Sequence, residues 1–193
     1  ETMNQKLLEA DNVLDFMSHT IDDFRNFFIP KKEKEEFLLY KVVDIVINIV
    51  SSTLQNYNIK LEINIDKKID LNTYLNEYEQ VLLNIINNAK GTLNEKKIKN
   101  PIIKISAAQD EDYIILYIED NGGGIFVVPK GKIFEPYFTT KEHSNGTGIG
   151  LYMSKIIVDK NMKGKLKVKN TKTGARFAVY TPKILLEENN EII

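Results

Sequence analysis

The chain has 193 residues, with 42% hydrophobic and 27% charged side chains, the balance of a globular domain plus an appendage and not of a disordered chain. Its 26 lysines and arginines face 27 acids, so no net positive field exists to hold nucleic acid, and no apolar run approaches the ~20 residues that cross a bilayer. Cysteine is absent, which excludes thiol catalysis, disulfides and Cys-zinc sites and fits a reducing, cytoplasmic setting.

Residues 7–28 carry the first pattern. Leu7, Ala10, Leu14, Met17, Ile21, Phe24 and Phe28 follow steps of three and four, an a/d seam that Val13 and Phe27 widen. This predicts a bundle-forming helix over 1–30 whose apolar stripe needs a partner helix. His19, one of two histidines, falls at the outward f position of that register and faces solvent. Pro30 stops the helix. The run KKEKEE at 31–36 has cancelling signs and reads as a charged, solvated hinge. Residues 40–58 read as a helix. IKLEINI at 59–65 alternates strictly, a strand with Ile59, Leu61, Ile63 and Ile65 on one face. Asn76, with Glu79 three residues on, marks a helix start, and that helix runs through QVLLNIINNAK to about Glu95. PIIKISAA and YIILYIED form an antiparallel hairpin across QDED. Residues 152–161 are helical, KLKVKN and RFAVYTP close the fold around the turn TKTGA, and 184–193 is a polar tail. This order predicts an α+β fold over 37–183: a two-layer α/β sandwich, its mixed sheet carrying helices on one face, preceded by the long helix.

None of the ten glycines precedes residue 91, and six fall in two clusters. DNGGGI (120–125) follows a strand, and GTGIGL (146–151) precedes a helix. A glycine loop entering a helix presents free N–H groups, which suits phosphate; a tight turn that caps a helix has the same look. Between the clusters, 126–145 has little regular structure, and a loop that long in a compact domain is usually functional, often a lid. Its aromatics Phe134, Tyr137 and Phe138 would fold onto a neighbouring surface or a bound ring. Asn84 and Asn88, four apart, share a helix face. They are either ligands for a hard cation, which prefers oxygen, or amides that cap backbone. Asp120 ends an apolar strand. It is either an acceptor for an amino group such as that of adenine or the first residue of a turn.

In combination and order, the Asn helix, Asp-x-Gly-x-Gly, FEPYFTTK and Gly-x-Gly-x-Gly resemble the ATP-binding domain of bacterial sensor histidine kinases, over about 37–182. The resemblance implies ATP and Mg²⁺ as cofactors, with Asn88 as the metal ligand and Asn84 supporting the phosphates. It assigns adenine to Asp120, the base pocket to Gly122, Gly124 and Ile125, and the lid aromatics to Phe134 and Phe138. The phosphates fall to Gly146, Thr147, Gly148, Gly150 and Leu151. It further implies γ-phosphate transfer to a histidine and on to a response regulator, with a homodimer formed through the N-terminal helix. The phosphoacceptor in that family sits on the first hairpin helix, followed by a proline. His19 lies on what resembles the second helix with no proline before Pro30, so the accepting helix is not among these residues and no catalytic residue is assigned. His143, in the lid, reads as a loop residue. Gly91 stands where relatives often carry a charge, and FVVPKG replaces their short acidic helix. Two other readings stand beside this one: an ATP-gated conformational ATPase, as in the superfamily shared with type II topoisomerases, heat-shock chaperones and mismatch-repair ATPases, using Glu77 or Glu79 to activate water, and a non-catalytic nucleotide-binding module.

Overall fold

A computed structural model describes residues 33–140 and 147–183. The helix expected over 7–28 with His19, the residues Gly146 and His143, and the tail lie outside the described residues.

Strand β1 (Glu35–Leu38) leads into helix α1 (Leu39–Asn56). The helix is rich in β-branched residues, but Leu39, Val42, Val43, Val46, Val50 and Leu54 recur at helical spacing and are its buried set, so period overrides strand propensity. Strands β2 (Lys60–Asn64) and β3 (Asp70–Thr73) follow, then helix α2 (Leu75–Glu95), then β4 (Ile102–Gln109) and β5 (Tyr113–Asp120). After a 3-10 turn at Lys130–Phe134 come helix α3 (Gly150–Ile156), a π-helical turn at Ile157–Asn161, β6 (Lys165–Asn170) and β7 (Ala175–Pro182).

Five strands form a mixed sheet in the order β2-β4-β5-β7-β6, with β2 and β4 parallel and the other pairs antiparallel. Partners in register share a face. Ile105, Ile118 and Phe177 line up on one face, buried in the same core as the apolar sides of α1 and α2. The opposite face carries Glu62, Lys104, Glu119, Arg176 and Lys169 in one row. Arg176 Nε donates to a Glu119 carboxylate oxygen at 2.6 Å in that row. A charged face and an apolar face explain why the helices stack on one side only, and the two-layer sandwich is as expected.

Three details differ from expectation. Glu35 and Glu36 do not belong to a hinge: they open β1, which pairs antiparallel with β3 as a separate two-stranded sheet. β1 does not alternate, and β3 alternates exposed and buried residues over only four positions, with polar Thr73 at one of the buried ones, so neither pattern is long enough to declare a strand. The Asn76/Glu79 cap is not formed, because the helix has already begun at Leu75 behind an extended Tyr74 that gives no side-chain cap. Ile63 is 44% exposed although it lies on the helix-facing side, since β2 is the sheet edge. Helix α2 runs unbroken through Gly91 to Glu95, so that glycine does not end it. No helix among the described residues is long and apolar enough to cross a membrane.

Candidate functional site

Four residues of the α2 segment, Asn84, Asn88, Thr92 and Lys96, are spaced by four and so form one stripe. At one end, Asn84 Nδ2 donates to the Gly150 carbonyl and to Ser154 Oγ, each at 3.1 Å. A Cβ on Gly150 would lie 3.5 Å from the Asn84 amide. Further along, a Cβ on Gly122 would lie 2.9 Å from Thr92 Cγ2 and 3.0 Å from Asp120 Oδ1. Asn84 and Thr92 are eight residues apart, or ~12 Å along a helix axis. The two glycine clusters are thus registered on one helix face, two turns apart, with Asn88 between them. That interval fits a base, a sugar and a short phosphate chain laid along the helix.

Asp120 sits at the end of β5 and is 6% exposed. Its Oδ1 accepts the Gly122 N–H at 2.7 Å and, more weakly, the Ala175 N–H at 3.4 Å. Burial pushes the carboxyl above the ordinary aspartate value, opposed by those two N–H groups and by the Lys96 charge. No hydrogen bond reaches Oδ2 among the described residues, which leaves an acceptor oxygen for a ligand donor. Gly123 and Gly124 have φ of +85° and +87°, values that glycine adopts without strain.

The turn between β6 and β7 holds this loop in place. Asn170 Oδ1 accepts the Ile125 N–H and its Nδ2 donates to the Ile125 carbonyl, both at 2.9 Å. The Gly123 N–H donates to the Thr173 carbonyl at 2.8 Å. Gly174 packs so closely that a Cβ there would overlap the Asp120 carbonyl oxygen. These contacts were not foreseen; the sequence marks Gly174 only as a turn residue and Asn170 only as a strand end.

At the other end, Thr147, Gly148 and Gly150 lead into α3, and Leu151 packs partly buried against the core. Thr147 Oγ1 accepts the Ile149 N–H at 3.2 Å. Gly148 has φ +67°, and a Cβ there would overlap the Tyr137 carbonyl carbon, with Phe138 N at 2.8 Å. The backbone at Tyr137 and Phe138 therefore rests directly on the second cluster. Of the lid aromatics, Phe134 meets Phe177 edge-on at 6.4 Å and Phe138 packs against the core, so both anchor the lid to the protein itself.

The Asn88 carbonyl accepts the Thr92 hydroxyl at 3.0 Å, while its half-buried amide makes no hydrogen bond among the described residues. No group of three or more His, Asp or Glu side chains suited to a metal occurs among those residues. A single amide oxygen beside a phosphate path fits Mg²⁺, which keeps phosphate and water in its shell. Asn84 ties α2 to the start of α3. Its amide nitrogen is engaged with Gly150 and Ser154, while no hydrogen bond reaches its Oδ1 among the described residues. Asn84→Ala removes both bonds beside the buried Ser154; we expect a loss of about 1–2 kcal/mol, read by urea denaturation.

The fold and the cleft define a two-layer architecture in which one helix lies against both glycine clusters. Residues 74–185 match the family model described as histidine kinase-, DNA gyrase B-, and HSP90-like ATPase, and the chain belongs to that family. It is 37% identical over 109 residues to the two-component sensor PprA of Pseudomonas aeruginosa, covering 55% of this chain and 12% of that protein. The catalytic domain of histidine kinase ThkA, nucleotide free, superposes with a TM-score of 0.69 at 26% identity, covering 78% of this chain and 97% of that one. ThkA in complex with the response regulator protein TrrA gives a TM-score of 0.74 at 22% identity, covering 95% and 52%. Beside the full lengths of its named relatives the chain is short, spanning 12% of PprA and 30% of an NtrY-like kinase of Rickettsia bellii.

Proposed function

We propose that this chain is the ATP-binding catalytic core of a sensor histidine kinase, which binds Mg·ATP in the α2 cleft and passes the γ-phosphate to a histidine on a helical hairpin. The observation that carries the proposal is the register of both glycine clusters on the Asn84–Asn88–Thr92 stripe. Asp120 Oδ2 accepts the adenine amino group, and Gly122, Gly124 and Ile125 shape the base pocket. Thr147, Gly148, Gly150 and Leu151 line the phosphates, together with Gly146. Asn88 holds Mg²⁺, which supplies charge neutralisation at the phosphates when bound. The chain's own residues then act by positioning, the main contribution to phosphoryl transfer. The homodimer through the N-terminal helix and the response regulator partner belong to the same proposal, supported by the seam over 7–28 and by the ThkA complex. The phosphoryl acceptor is a histidine other than His19.

The conformational ATPase fits less well. Glu77 is buried and its Oε1 accepts from Asn161 Nδ2 at 2.8 Å, which commits it to the π-helical turn. Burial and the neighbouring Glu35 on β1 raise the Glu79 carboxyl, which places it on the β1 side of the helix. Glu79 and Glu77 precede Asn88 by nine and eleven residues of one helix, or ~14–16 Å along its axis, too far for either to act as a water-activating base there.

Calorimetry with ATP and Mg²⁺, followed by transfer of label to a longer chain carrying the upstream helix, tests the proposal. Binding with transfer is expected. Asn88→Ala should weaken Mg·ATP by about 10–100-fold while ADP measured with a chelator changes little. Steady hydrolysis without any acceptor would point instead to the ATPase, and label on this chain that His19→Ala removes would make His19 the acceptor.

A further inference from the structure

We propose that Lys96 and Phe126 form a latch at the base end of the cleft: Lys96 is a positioning residue for the first glycine loop, and Phe126 covers the adenine ring and slows its departure. This rests on the nucleotide reading above. Lys96 is the last member of the α2 stripe, at the C-cap of the helix. A lysine there would ordinarily turn back to the last helical carbonyls. Instead its Nζ donates to the Gly122 carbonyl, 26 residues on, at 2.7 Å, between the helix and the loop that carries Asp120. The same ammonium stands 5.6 Å from the centroid of the Phe126 ring, within cation–π range.

Phe126 is 80% exposed, an apolar ring held out of the core. The residue before it is clamped on both backbone atoms by Asn170, so Phe126 is the first residue past the fixed part of the loop. An exposed ring one residue past Ile125, next to the cation that holds the Gly122 carbonyl, has the chemistry of a stacking platform for a purine. FVVPKG, which lacks the acidic helix of relatives, thereby supplies a different closure at the same place.

The test is stopped-flow dissociation of fluorescent N-methylanthraniloyl nucleotides from the chain. Lys96→Met and Phe126→Ala should each speed release about 10-fold, by the same factor for the di- and triphosphate because the latch lies at the base end. Lys96→Arg should restore slow release. The double variant should be no faster than either single, since the pair acts as one unit. Val128→Ala, on the same loop and 83% exposed, should match the wild type. Wild-type release in both singles, or a double variant whose effect is the product of the two, overturns the latch. Phe126 is exposed, so Phe126→Ala keeps the fold and decides the question even where Lys96→Met melts. The two readings fail separately. A chain that binds no ADP, or binds it undiminished as Asp120→Asn, removes the site. A chain that loses ADP in Asp120→Asn yet releases it normally in Phe126→Ala removes only the latch.

Discussion

Asp120→Asn should abolish measurable adenine nucleotide binding and leave the domain as stable as before or slightly more so. Asparagine can still accept the Gly122 N–H with its oxygen. The second position then becomes an NH₂, a donor facing the donor amino group of adenine. A hydrogen bond to a charged acceptor is worth ~1.5–3 kcal/mol, and the donor–donor contact adds to its loss, so affinity should fall at least ~100-fold. Stability moves the other way. Burial raises the Asp120 carboxyl above its unfolded value, so the protonated form suits the fold. The corresponding stability is present below the unfolded value and is lost as pH rises through the folded one. At neutral pH the ionised group therefore burdens the domain, and the neutral amide relieves it. Calorimetry with ADP and a thermal melt at neutral pH read the two effects. Unchanged affinity would remove adenine from this carboxylate, and a large drop in melting temperature would make Asp120 structural.

Gly174→Ala should have the largest effect on folding. Its added methyl would overlap the Asp120 carbonyl oxygen and reach 2.8 Å from Oδ1. The nearest atom is backbone, so no side chain can swing aside. Overpacking commonly costs ~1–3 kcal/mol, and this contact lies at the upper end or beyond. For a domain of this size that lowers the melting temperature by about 10 °C. Whatever fraction stays folded must part β5 from the β6–β7 turn, which displaces Asp120, so nucleotide binding falls as well. Gly131→Ala is the matched control: a Cβ there meets nothing within 4 Å, and its stability should stay within ~0.5 kcal/mol of wild type. Equal melting curves for Gly174→Ala and Gly131→Ala would refute the close approach.

What the sequence shows and hides here follows from periodicity. Helix α1, helix α2 and the strands β4 to β7 each repeat an apolar pattern long enough to declare its period, and each lies where that pattern puts it. The strands β1 and β3 have four residues apiece, too few to declare a period, and one of the two buried residues of β3 is the polar Thr73, so their mutual ladder is what marks them as strands. Within the site, Asn84, Asn88, Asp120 and the glycines stand out because amides, a carboxylate and flexible backbone are unusual in those settings. Thr92 and Lys96 extend the spacing of the two asparagines, a signal present in the chain but masked by residue types that are ordinary on a helix surface. Asn170 and Gly174 act across a gap of about fifty residues, at the far side of a sheet pairing. No local pattern announces such a partnership; it emerges once β5 and β7 lie side by side.

The clamp formed by Asn170, Thr173 and Gly174 has a bearing on how the domain matures. Those residues are among the last of the described chain to leave the ribosome, whereas the loop they hold, from Gly122 to Ile125, emerges some fifty residues sooner. Until β7 pairs with β5, Ile125 has no side chain to grip it and Asp120 has nothing packed on its carbonyl. A nascent chain therefore lacks this clamp until synthesis has passed Ala175, and on the proposed reading nucleotide can stabilise the domain by mass action only from that point.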